Sequence, residues 1–397
     1  MTATTRPSGV SWRLAAALAV TATTALCGAA PTFTSVPAPD LQPLFAQAST
    51  GSLAWLGADI ATSLPLDDVG LAHLWLFGDT IIGRFRPNAT RDIKGMPRNS
   101  VGVLYTAASG RPTSTLSHAW RYDASAAQHV GFFSPPANAS QWYWPQQGLR
   151  VNNASFVVAW RMAPGPPGEF AFTTAGIDVI ALPRYGDGGA SGDPADWPAA
   201  LPTTTIGAAY VHDNFTVGNS VAVDGGYVYL LGGVGSPSAA MMTRIGAADF
   251  VAQAWDRLTF LMADGSWATY VAGATEAGVR RLFDFVPSET TMTWVPALSA
   301  WLLLNVNTFI TGADVTFRTT PDLAGGAWSA PTTIYTIPAP FLANGSFCYA
   351  GKAHPELAAP GGAELVWTFN CNTDGLPPLV NRTDMYLPRV VRTTWSA

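Results

Sequence analysis

Residues 55–80 read WLGADIATSLPLDDVGLAHLWLFGDT. Two runs rich in apolar residues flank Asp67-Asp68-Val69-Gly70, a cluster of turn formers with glycine at its end. A tight turn centred on Val69 pairs positions whose numbers sum to about 138, because register fixes which side chains share a face. Asp59 then opposes Asp79 on one face, with Cβ atoms about 4.5–5.5 Å apart. Like charges facing each other destabilise a sheet. Neither acid has a basic neighbour in its own strand, and Asp79 follows the apolar run Leu74–Gly78. Such a pair pushes at least one pKa upward and separates a proton donor from an ionised carboxylate. Gly57 and Gly78 are expected to leave room for a ligand against the backbone. The competing reading is two turn aspartates at strand ends.

The same pattern of short β runs bounded by Gly, Pro, Asp and Asn continues along the chain. Examples are SFVVAWRM (155–162), NSVAVDGGYVYLLGG (219–233), MTWVPALSAWLLLNV (292–306) and AELVWTFN (363–370). Past residue 30, no window reads as a long, well-capped amphipathic helix. Connections ending in a tryptophan turn recur at 195–202, 264–267 and 321–331. Repeating four-strand units of this kind imply an all-β, five-bladed β-propeller, formed as a single domain over residues 50–397. A pair of β-sandwiches is the alternative.

The first thirty residues carry Arg6 and Arg13, the apolar run Leu14–Leu26, and small residues to Ala30. That is the layout of a secretory signal peptide, too short for a comfortable transmembrane helix. Residues 31–49, rich in proline, are expected to be a linker. Removing the leader leaves 19 of the 21 basic residues against 26 acidic ones, a net charge of about −7. This balance argues against binding nucleic acid or anionic membrane through a basic face. Six N-x-S/T sequons, at Asn88, Asn138, Asn153, Asn214, Asn344 and Asn381, are expected glycosylation sites of an extracellular protein. Cys348 and Cys371, the cysteines left after the leader, are expected to pair; two buried thiols are the alternative.

Several short motifs stand out: Gly57-Ala58-Asp59, Trp75–Thr80 (WLFGDT) and Met96–Ser100 (MPRNS). Trp142–Pro145 (WYWP), Tyr349–Glu356 (YAGKAHPE) and Tyr386–Arg389 (YLPR) follow in order. Through these motifs the chain resembles a group of five-bladed propeller proteins of long-unassigned function that includes glycoside hydrolases with endo-D-arabinanase activity. The resemblance implies a funnel-shaped site at one end of the propeller axis, with Asp59 and Asp79 as the catalytic pair. The first motif, Gly-Ala-Asp-Ile-Ala, departs from the Thr-Asp-Leu-Gly form of the arabinan-degrading members. The chain therefore resembles a sister branch, for which arabinofuranosyl linkages are one candidate substrate.

Around the pair, Arg98 is expected to hold a carboxylate or a sugar hydroxyl, with a surface salt bridge as the alternative. Trp144 is expected to stack on a sugar ring, with propeller core as the alternative for the Trp142–Trp144 cluster. Asn99, His354, Arg389 and the reserve carboxylate Glu289 complete the expected substrate-binding set, with Asp213 as a second reserve. The five histidines show no metal-binding spacing, so neither a catalytic metal nor a cofactor is expected. No nucleophile elbow or P-loop is present. The expected activity is a secreted glycosidase acting on a polysaccharide or glycoconjugate, with Asp79 as nucleophile; a lectin-like propeller that binds glycans without cleaving them is the alternative. At the separation given above, the pair belongs to the retaining class.

Overall fold

The computed structural model describes residues 32–46, 53–135, 138, 140–166, 171–185, 193–206, 215–235, 238–269 and 278–396. The expected signal peptide, Asp213 and Asn214 lie outside the described residues. No helix among the described residues is long and apolar enough to cross a membrane.

The architecture is all-β. Among the described residues, five antiparallel sheets of four or five strands follow one another along the chain, beside a three-stranded and a two-stranded one. The first contains Thr62–Pro65, Ala72–Phe77, Ser100–Tyr105 and Ser117–Ala119; the second runs from Trp142–Val151 to Thr203–Thr205. The third runs from Phe215–Asp224 to Trp267–Thr269, and the fourth from Thr291–Val295 to Thr332–Thr336. The fifth joins Phe347–Ala353, Glu364–Asn372 and Arg389–Ser396 to the N-terminal strand Thr32–Pro37. The leading strand of each sheet packs on that of the next, from Thr62–Pro65 to Phe347–Ala353. The fifth sheet meets the first through His354, which bonds Ser63 Oγ at 2.8 Å and stacks on Trp75. Apolar clusters fill the spaces between adjacent sheets, for example Val158, Val179, Val217 and Leu230 between the second and third.

The expected linker is corrected here. Thr32–Pro37 pairs with Val391–Ser396, from Thr32↔Ser396 to Pro37↔Val391. Phe33 packs edge-on against Phe317. Pro37 ends an edge strand, where a missing backbone donor is tolerated. Cys348 and Cys371 face each other across the fifth sheet and are bridged.

The register expected for residues 55–80 holds, with one addition. Thr62↔Leu76 and Pro65↔His73 pair in the first sheet, and Ala58↔Thr80 continues the same register beyond it. Between them the ladder breaks. Ile60 and Ala61 take φ of 68° and 50°, a left-handed turn that a β-branched residue adopts only under strain. Ala54–Ala58 then leaves the first sheet to form a separate one with Thr80–Phe85 and Arg91–Gly95. Asp59 and Asp79 stand at this break, tied by Asp59 N–H to Asp79 O at 3.4 Å.

Candidate active site

The leading strands of the second, fourth and fifth sheets begin near the same end of the molecule. Their first residues join the break at Asp59 and Asp79 around a cavity of about 680 Å³. That size is ordinary for a small-molecule site. Asp59, Asp79, Arg98, Trp144, Glu289, Tyr349 and Tyr386 all line it.

Local backbone geometry aims the two carboxyls. A side chain on Gly78 would meet Asp59 Oδ1 at 2.2 Å, and one on Gly57 would meet the Tyr386 carbonyl at 2.3 Å. The space expected for a ligand at these glycines is thus taken by the protein's own groups, which corrects that reading. Thr80, buried beside Asp79, donates to Gly78 O and shares a bond with Ser100 Oγ, both at 2.8 Å.

The acids have different partners. Asp59 Oδ2 accepts from Tyr349 at 2.8 Å and from Tyr386 at 3.1 Å, while Oδ1 is buried with no partner. Burial holds its pKa well above the carboxylate range, helped by the charges of Asp79 and Glu289 and opposed by the tyrosine hydroxyls. Asp79 Oδ1 accepts from Trp144 Nε1 at 3.1 Å, and Oδ2 from Arg98 Nη1 at 3.3 Å. Its side chain is 15% exposed at the pocket wall. Burial raises this pKa too, with Arg98 and Trp144 pulling it back. Asp79 is therefore the better-stabilised anion and Asp59 the better proton holder. Both tyrosine hydroxyls are pushed far up by burial and by Asp59, so they remain neutral donors.

A third carboxyl, Glu289, accepts from Ser288 and is raised by burial. Below the site, the buried Lys352 donates to Gln146 O at 2.7 Å and Thr290 O at 2.9 Å. Burial brings its pKa down to about 7, against the pull of Glu289. The buried Arg91 caps the loop that delivers Tyr386, donating to the carbonyls of Leu379, Arg382, Thr383 and Met385.

Three expected binding residues lie elsewhere. Asn99 is buried and bonds Phe133 O, Phe133 N and Tyr143 O, which fixes a loop. His354 is fully buried between Ser63, Thr368 and Trp75, at the seam between the first and fifth sheets. Arg389 donates to Asp384 O and lies over Phe341, in a separate groove beside the N-terminal strand. Each satisfies backbone or ring partners, so none is free to meet a ligand in the carboxylate pocket. Conversely, Tyr349 and Tyr386, each opening a motif that carries the family resemblance, add to the expected set as pocket residues bonded to Asp59. Among the described residues, no three His, Cys, Asp or Glu side chains converge where a metal could be held. Asn88, Asn138, Asn153, Asn344 and Asn381 are exposed.

Successive antiparallel sheets with a carboxylate-lined cavity at one end define an all-β, propeller-like protein. The chain belongs to the family described as Domain of unknown function (DUF5005), whose signature matches residues 43–395. No curated protein sequence is significantly similar. Among solved structures, a Bacteroides ovatus protein provisionally described as a hydrolase shares the fold. Its TM-score is 0.71 at 18% identity, over 91% of this chain and 90% of that one. An exo-β-1,3-galactanase from Phanerochaete chrysosporium, solved with β-1,3-galactotriose, aligns at TM-score 0.42 and 11% identity, over 91% and 64%. A GH43-type enzyme from Xanthomonas citri, complexed with xylose, aligns at 0.39 and 11%, over 88% and 90%.

Proposed function

We propose that the protein is a secreted glycoside hydrolase on a five-bladed propeller, with Asp59 and Asp79 as its catalytic pair. The observation that carries this reading is the unequal environment of two facing carboxyls in one cavity. Arg98 and Trp144 favour the ionised form of Asp79 against the effect of burial, while burial and the neighbouring acids favour the protonated form of Asp59. In the proposed reaction the Asp59 carboxylic acid protonates the leaving glycosidic oxygen as Asp79 attacks the anomeric carbon. Water, deprotonated by Asp59, then releases the glycosyl group from Asp79. Adjacency across one strand pair favours this retaining course over the wider spacing of inverting enzymes. Tyr349 and Tyr386 orient Asp59, and Arg98 favours the ionised form of Asp79. Arabinofuranosyl polymers are the first substrates to try, followed by xylans and galactans.

The test is a screen of arabinan, xylan and β-1,3-galactan for new reducing ends, with product anomers followed by NMR. Glycan binding without any hydrolysis after long incubation rejects the enzyme in favour of a lectin-like propeller. An inverted first product rejects the retaining course.

Activity should follow a bell-shaped pH profile. It falls on the acid side as Asp79 is protonated and on the alkaline side as Asp59 is ionised. Arg98 lowers the pKa of Asp79. Arg98→Met is therefore expected to move the acid limb to higher pH and narrow the bell. A parallel loss at every pH, with both limbs in place, would assign Arg98 to substrate binding instead.

A further inference from the structure

We infer that the pocket continues beyond the carboxyls as an aromatic track for a glycan chain, ending in a remote sugar-stacking position on Phe309. This rests on the glycosidase reading and adds to it the course of the substrate and cleavage within a chain.

Phe347 and Tyr349 are two apart in one strand, so both side chains face the pocket. Cys348 between them is buried and bridged to Cys371, which braces the strand from behind. The Tyr349 and Phe347 rings lie 5.6 Å apart at 28°, and Phe347 and Phe309 lie 4.7 Å apart at 35°. The column thus starts at the hydroxyl that holds Asp59 and ends at Phe309. Phe347 covers one side of the Phe309 ring, yet 65% of Phe309 remains exposed, as does 60% of the adjoining Ile310.

Phe309 is anchored despite this exposure. Asn307 bridges to Tyr349 and caps the Phe309 N–H at 3.1 Å, and Thr308 Oγ1 accepts from Cys348 N at 2.8 Å. Phe309 and Phe347 line the same cavity as the two carboxyls, so the open part of the Phe309 ring offers apolar surface within reach of a bound chain. An aromatic face is suited to the C–H face of a sugar ring.

The Asp79 side has a wall of its own. Trp144 donates to Asp79 and packs edge-to-face on Phe172, with centroids 4.6 Å apart. A bond held between the two carboxyls then has sugar positions on both sides, which is the layout for cutting inside a chain.

The test is calorimetric binding of arabino-, xylo- and β-1,3-galacto-oligosaccharides, from disaccharide to hexasaccharide, to the full chain carrying Asp59→Asn. Affinity is expected to rise with length. Adding Phe309→Ala should cost the longer members about 3- to 10-fold, the scale of one aromatic contact, and leave the disaccharide unchanged. Products released by the unsubstituted protein should be oligosaccharides. Equal affinities with and without Phe309→Ala at every length overturn the track, as does monosaccharide as the sole product or no binding of any member. Length-dependent binding that Phe309→Ala removes, with no cleavage by the unsubstituted protein, keeps the track and rejects the hydrolase.

Discussion

In an Asp79→Asn variant, glycan hydrolysis is expected to fall by about 10⁴-fold or more, and in Asp59→Asn by about 10²- to 10⁴-fold. The amide at position 79 keeps the contact with Trp144 but offers no negative charge to the anomeric carbon. The amide at position 59 has no acidic proton to give the leaving oxygen. The two losses should also separate by substrate. A glycoside with an acidic leaving group such as nitrophenol needs little protonation, so it should restore much of the rate to Asp59→Asn and little to Asp79→Asn. Full activity in both variants would remove the pair from the mechanism. Stability carries a second signature. Asp59 holds its proton more tightly when folded than when unfolded, so its contribution is complete below the unfolded pKa and is lost as pH rises through the raised folded value. Urea midpoints of the unsubstituted protein should therefore include a downward step with rising pH that Asp59→Asn lacks.

Arg91→Met is expected to lower stability by about 3–5 kcal/mol, the usual cost of breaking a buried, hydrogen-bonded charge network. The guanidinium meets four main-chain carbonyls, the closest at 2.8 Å for Met385 and 2.9 Å for Leu379. Methionine fills similar space and takes the guanidinium donor from all four carbonyls, although Arg382 O keeps the Met385 N–H at 2.9 Å. Those carbonyls surround the helix Leu376–Asn381 and the loop that carries Tyr386 to Asp59. Activity should fall together with the urea midpoint. Arg91→Lys supplies the charge without the planar fork and should lie between the two. A loss under about 1 kcal/mol for Arg91→Met would show that other groups or water take over these carbonyls.

The strand pair at 55–80 was legible because alternation, a turn cluster and register parity are local properties. Asp59 and Asp79 were legible for the same reason, and Arg98 and Trp144 followed from short motifs close to them in space. The limit lay inside those motifs. Asn99 follows the pocket residue Arg98 and His354 shares a motif with Tyr349, yet both turn inward to satisfy loop and seam partners. Nothing in a linear motif separates a polar residue that meets a ligand from one that meets a carbonyl. Tyr349 and Tyr386 were hidden by distance, being 290 and 327 residues from the Asp59 they bond. Read alone, a tyrosine in a β run is a core aromatic. The kink at Ile60 and Ala61 was invisible too, since no residue preference favours a left-handed isoleucine.

The strand Thr32–Pro37 also sets an order on biosynthesis. It is among the first parts of the described chain to be made, and its partner Arg389–Ser396 is the last; Ser35 and Thr393, bonded across the seam, are 358 residues apart. At roughly 5–20 residues per second, the early strand waits on the order of 20–70 s for that partner. During the wait the six-residue length of TFTSVP and the proline at its end limit pairing with a neighbouring chain. The fifth sheet is therefore completed only once Arg389–Ser396 has been made and the early strand meets it.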